Sequence, residues 1–117
     1  MDIHWTQHAR FKMNYYRLSE SRVKRVINVP QRIEEGIAER TIAMMQSSVG
    51  AKNPYEIWVM IQETAAGAAR NEKEKVLEKL GLKPKKIKVI SAWRYPGRTK
   101  PGQPLPPEIL AEISEAL

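Results

Sequence analysis

The sequence predicts an α+β domain in which two N-terminal helices pack on an antiparallel sheet, with a helical insertion and a C-terminal helix. Three observations carry that prediction. The first thirty residues hold two stretches of helical period, each preceded by a capping residue. Residues 31–62 and 86–95 change instead to alternation of period two. The 117 residues suit one core spanning 1–117, and a 42% apolar composition argues against disorder.

Taken in order, residues 3–5 form a short strand, and Thr6 stands as N-cap to a helix over 7–17. Ala9, Met13 and Tyr16 follow i, i+4, i+7 and make its core stripe. His8, Phe11, Lys12 and Tyr15 lie on a neighbouring face that carries both titratable and aromatic groups. Ser19 caps a second helix over 20–27 with Val23, Val26 and Ile27 inward, and Pro30 prevents its continuation. Strands are predicted over 31–35 and 39–46 around a turn at Gly36, Ile37 and Ala38, with Ile42, Met44 and Gln46 on one side. Residues 47–54 read as a loop. The run 55–62 is apolar on both faces, the mark of a central strand.

Residues 65–84 read as the helical insertion: a small-residue linker, then Asn71 and Glu74 as a capping box, Val76, Leu77 and Leu80 as an apolar stripe, and Gly81 as the stop. A further strand covers 86–95. The tail, 96–117, reads as a basic Pro- and Gly-rich loop followed by a helix opened by Pro106 and Pro107.

Charge narrows the function. The formal net charge is +7, and its distribution says more than its size. Residues 1–30 hold six basic and two acidic side chains, and residues 81–104 hold seven basic and none acidic. Such a field favours an anionic partner, nucleic acid above all, with a merely solubilising surface as the alternative. The sequence predicts that the fold brings the two basic segments together on one face.

Several chemistries lack their signatures. There is no cysteine and only His4 and His8, so no zinc cluster is spelled out. The six glycines form no phosphate-cradling loop, and no serine sits in a nucleophile elbow. No apolar run approaches the roughly 20 residues of a membrane span, and Met1–Trp5 does not resemble a signal peptide. The expectation is a cytoplasmic protein with no cofactor, no metal and no membrane association.

What remains suits phosphodiesters. His8 can exchange a proton near neutral pH, with Lys12 one turn away. Arg94 offers a planar fork for phosphate, and Trp93 and Tyr95 offer stacking faces or a phenolic proton. Arg98 and Lys100 extend the field, as do Lys86 and Lys88. Structural readings stand beside these. A histidine early in a helix also suits capping or packing, and lysines at a strand edge also block sheet-to-sheet pairing. Tyr15, Tyr16, Trp58, Met44 and Met45 read as core.

The motifs Thr6-x-His8-Ala9-x-x-x-Met13, Leu18-Ser19-x-x-x-Val23-x-x-Val26-Ile27-x-x-Pro30 and Lys88-Val89-Ile90-Ser91-Ala92-Trp93-Arg94 resemble a small bacterial domain family related to the BrnT toxins of the RelE-like superfamily. The resemblance covers 3–46 and 55–95 and leaves the insertion and the tail outside. It implies a RelE/BrnT-like arrangement of helices on a sheet and a toxin–antitoxin ribonuclease. The first-helix lysine of BrnT toxins falls on His8; the arginine after Ile90-Ser91-Ala92 falls on Trp93, with Arg94 next.

Two principal readings follow. In the first, the protein is a metal-independent endoribonuclease. His8 is base or acid, Lys12 and Arg94 hold the scissile phosphate, and Tyr95 orients or protonates. His8 and Arg94 should then converge within roughly 6–8 Å, one phosphate's reach. In the second, it is a non-catalytic RNA- or ribosome-binding module using Trp93, Tyr95, Arg98 and Lys100. A third makes it a partner-binding subunit for a small acidic antitoxin-like protein, with oligomerisation left open.

Overall fold

Helices α1 (Gln7–Tyr16) and α2 (Glu20–Asn28) pack on one face of a five-stranded sheet, in a computed structural model that describes residues 2–36, 41–48, 52–63, 86–100, 102 and 111. The strands are β1 (Asp2–Trp5), β2 (Arg32–Glu35), β3 (Thr41–Ser47), β4 (Tyr55–Glu63) and β5 (Lys86–Pro96), in the spatial order β1-β5-β4-β3-β2. Strands β2 to β5 pair antiparallel, each with the next. The described residues are thus α+β, as the two hydrophobic periods predict. The turn over 37–40, the insertion and the closing helix lie outside the described residues.

One pairing differs from the predicted antiparallel sheet: β1 lies parallel to β5, with Ile3 opposite Ile87 and Trp5 opposite Val89. The chain makes this possible by passing through both helices and three strands before β5 arrives. Pairing ends where α1 begins, and Thr6 joins the two. Its hydroxyl donates to the Val89 carbonyl at 2.9 Å and accepts from the Ala9 amide at 3.0 Å, capping the helix and fixing it to β5. Ser19 caps α2 by accepting from the Arg22 amide. Helix α1 closes at Arg17, which takes the left-handed conformation at φ 56° while Leu18 N–H reaches the Met13 carbonyl.

The sheet is buried on both faces, and the faces differ. Towards the helices, Ala9, Met13, Val23, Val26 and Ile27 meet Ile57, Val59 and Ile61 of β4 and Val89 and Ala92 of β5. On the far face lie Ala43, Met45, Trp58, Met60, Ile90 and Trp93, with Trp58 and Trp93 stacked at 6.0 Å. A β-bulge makes this possible in β5. Val89 opposes Ile61 and Ser91 opposes Met60, so Ile90 is an extra residue that joins the far-face cluster.

Four side-chain expectations change here. Tyr15 is 69% exposed rather than core, because it falls one position off the stripe that meets the sheet. Lys12, predicted on the chemical face, is largely buried. Its ammonium lies 5.6 Å and 5.9 Å from the ring centroids of Tyr15 and Tyr16. Trp93 is fully buried, so no ring face is open to a base. Tyr95 is half-buried on the same far face, packed against the cluster that contains both tryptophans.

Candidate nucleic-acid interface

Strand alternation separates the trio Trp93, Arg94 and Tyr95. Trp93 and Tyr95 turn away from the helices, and Arg94 turns towards them. Its guanidinium donates to the Tyr16 carbonyl at 3.4 Å, in the last residue of α1, and sits 4.7 Å over the Tyr55 ring. His8 is in the first turn of α1, eight residues earlier. At the α-helical rise those residues span about 12 Å. His8 and Arg94 therefore belong to opposite ends of the helix, which is not the convergence on one phosphate expected from the sequence.

A different set gathers around Arg94. In the antiparallel register Gln46, Ile57 and Arg94 form one row across β3, β4 and β5. Gln46 is buried; its amide donates to the carbonyls of Arg25 and Val29, tying the end of α2 to the sheet. Its oxygen accepts from the Arg22 guanidinium. Arg22 and Arg25 thus face the same end of the sheet as Arg94. Arg22 feels the charge of both other arginines. Its pKa is lowered, first by burial and next by the charge of Arg25; Tyr55 opposes this and Arg94 adds to it.

Among the described residues, no carboxylate is among the charges that act on Arg22. Among the described residues two like charges thus act on Arg22, and a bound anion relieves that repulsion. Arg22 and Arg94 are half-buried and Arg25 is exposed, so all three are reachable from solvent. Planar guanidiniums pre-organised in this way suit the paired oxygens of a phosphate.

The remaining predicted residues are placed as follows. Lys88 is half-buried, opposite His4 of β1 and Gln62 of β4. Lys86 opposes Asp2 at the start of β5. Both are at the other end of β5 from Arg94. Arg98 and Lys100 are exposed on the segment that follows β5, which turns back beneath the far face. There the Thr99 amide donates to Glu56 at 3.1 Å, and its hydroxyl donates to the same carboxylate oxygen. Arg32 donates to the Thr99 carbonyl at 3.0 Å, and its guanidinium lies 4.8 Å from the Trp58 ring. Arg32 also pairs with Glu34 at 3.1 Å, and Glu34 accepts from the Gly102 amide. This network holds the basic segment to the sheet.

Sequence reading missed Arg22, Arg25 and Tyr55. The i, i+3 spacing of Arg22 and Arg25 gave one signal, a basic stripe on the outer side of α2, but nothing local joined it to Arg94. Among the described residues no three His, Asp or Glu side chains gather as metal ligands. Among the same residues no helix is long and apolar enough to cross a membrane. Compared with known proteins, the chain matches no family model, no curated protein and no solved structure.

Proposed function

We propose that the protein is an RNA-binding domain of the RelE/BrnT-like toxin type, gripping the phosphodiester backbone at the helix-side end of β5. The observation that carries this reading is the grouping of Arg94 with Arg22 and Arg25, and with no carboxylate acting on Arg22 among the described residues. The group draws two members from the first basic segment and one, Arg94, from the second, so the two segments meet through Arg94 while Lys86, Lys88, Arg98 and Lys100 lie elsewhere. Arg94 and Arg25 contact phosphate; Gln46 positions Arg22.

Metal-independent cleavage is the second reading, favoured by Tyr55 beneath Arg94. Attack of a 2′-hydroxyl on the adjacent phosphorus, its proton passing to solvent water, forms a 2′,3′-cyclic phosphate and breaks the bond to the 5′-oxygen. Guanidiniums stabilise the charge that builds on the phosphoryl oxygens, and a phenol beside them can protonate the departing oxygen. His8, at the other end of α1, then acts outside this phosphate.

The test is a titration of labelled single-stranded RNA with purified protein in the presence of a chelator, read by fluorescence anisotropy and by gel. Binding that weakens steeply with salt, and is reduced about tenfold by Arg94→Ala, supports the RNA-binding reading. Absence of binding at low salt overturns it. Fragments from wild type and intact RNA from Tyr55→Phe support cleavage; intact RNA from both sinks it and leaves the binding domain.

A further inference from the structure

The face of α1 that bears Phe11 and Tyr15 is turned to solvent. Phe11 is 64% exposed and Tyr15 is 69% exposed, the two exposed large aromatic side chains among the described residues. Placed at i and i+4, they stand side by side on the helix, one turn apart. Neither takes part in the core cluster beneath the helices.

This aromatic pair is continuous with the arginine group. The Tyr15 ring meets the Tyr16 ring edge to face at 4.8 Å, and the Tyr16 carbonyl holds the Arg94 guanidinium. The Lys12 ammonium lies within 6 Å of both tyrosine rings, at 5.6 Å and 5.9 Å, which places a cation among them. Running from Phe11 through Tyr15 to Arg94, the surface is aromatic at one end and cationic at the other. Bases present flat π-faces, and phosphates present charge, so a single strand offers both in one ligand. A duplex keeps its base faces stacked inside and presents phosphates, 2′-hydroxyls and base edges.

We propose that Phe11 and Tyr15 form a stacking platform for unpaired bases, making single-stranded RNA the ligand of the phosphate site at Arg94 and Arg25. The inference rests on the RNA-binding reading above and adds the class of RNA and the residues that choose it. Tyr15 holds its ring against Tyr16 and so offers a pre-set face; Phe11 extends that face by one helical turn.

Three labelled probes test this: a single strand of about 12 nucleotides, within the span such sites cover, an abasic strand of the same length, and the corresponding duplex. Affinity is measured for wild type, for Phe11→Ala/Tyr15→Ala and for the conservative Tyr15→Phe. Wild type is expected to bind the base-bearing strand at least tenfold more tightly than the abasic strand or the duplex. The double variant is expected to erase that preference, with its salt dependence unchanged, and Tyr15→Phe to keep it. Because both positions are exposed, circular dichroism of the double variant should match wild type. Equal binding of base-bearing and abasic strands by wild type overturns the stacking platform while leaving the phosphate site intact, as does a preference that survives in the double variant. Failure of the phosphate site looks different: all three probes bind weakly and without salt dependence, which removes both.

Discussion

The two faces of the sheet use arginine in opposite ways. On the far face, Arg32 is consumed by structure: it pairs with Glu34, donates to Thr99 and lies against Trp58. On the helix face, among the described residues, Arg94 meets one backbone carbonyl and one tyrosine ring, and with Arg25 it acts as a like charge on Arg22. A guanidinium enclosed by carboxylate and carbonyl has its donors and its charge answered within the fold. One left beside like charges has both available for a ligand. Net charge alone does not distinguish them; the neighbours do.

The contrast breaks most sharply at Trp93. Replacing it with Ala removes a fully buried indole stacked on Trp58 and should cost about 3–5 kcal/mol. Denaturant unfolding would show this as a lower midpoint. A loss below ~1 kcal/mol would mean that the far face is not the packed layer described. Next is Glu56→Ala, which strips the acceptor from the Thr99 amide, the Thr99 hydroxyl and the Trp58 indole N–H. Leaving buried donors unanswered should destabilise the fold by about 1–3 kcal/mol. Limited proteolysis after β5 should also accelerate, since Thr99 is the point at which that segment is tied down.

An effect of similar size is expected at Gly36. A Cβ there would collide with the side chain and backbone of Thr41, where the Gly36 amide donates to the Thr41 carbonyl at 2.9 Å. Gly36→Ala should therefore loosen the β2–β3 pairing by about 1–3 kcal/mol, seen as faster amide exchange in Arg32–Glu35 with RNA affinity preserved. Smallest is Lys100→Ala. Its side chain is exposed, so stability should move by less than about 0.5 kcal/mol.

What was legible in the sequence was local. Thr6 and Ser19 announce the two helices because a capping hydroxyl acts on an amide three residues away. β4 announces itself as central because Ile57, Val59 and Ile61 serve one face while Trp58 and Met60 serve the other. The parallel union of β1 with β5 was not legible, since it joins segments more than eighty residues apart. The arginine group was hidden for the same reason: Arg94 meets α2 through a row set by three strands in register. The bulge at Ile90 adds one further displacement, placing successive residues of β5 on the far face. The candidate site was therefore half visible. Arg94 stood out by its company in the sequence, but its partners in space are not Trp93, Tyr95 or His8.

The measurement that bears most directly on the helix-side arginine group is the salt dependence of RNA binding by wild type, Arg25→Gln/Arg94→Gln and Arg32→Gln. On a single strand each phosphate contact contributes about 0.7 of a unit to the slope of log affinity against log salt. The double variant should lose about 1.4 units of slope, while Arg32→Gln keeps the wild-type slope and loses only stability. An unchanged slope in the double variant, or an equal loss in Arg32→Gln, would contradict the division of labour between the two faces.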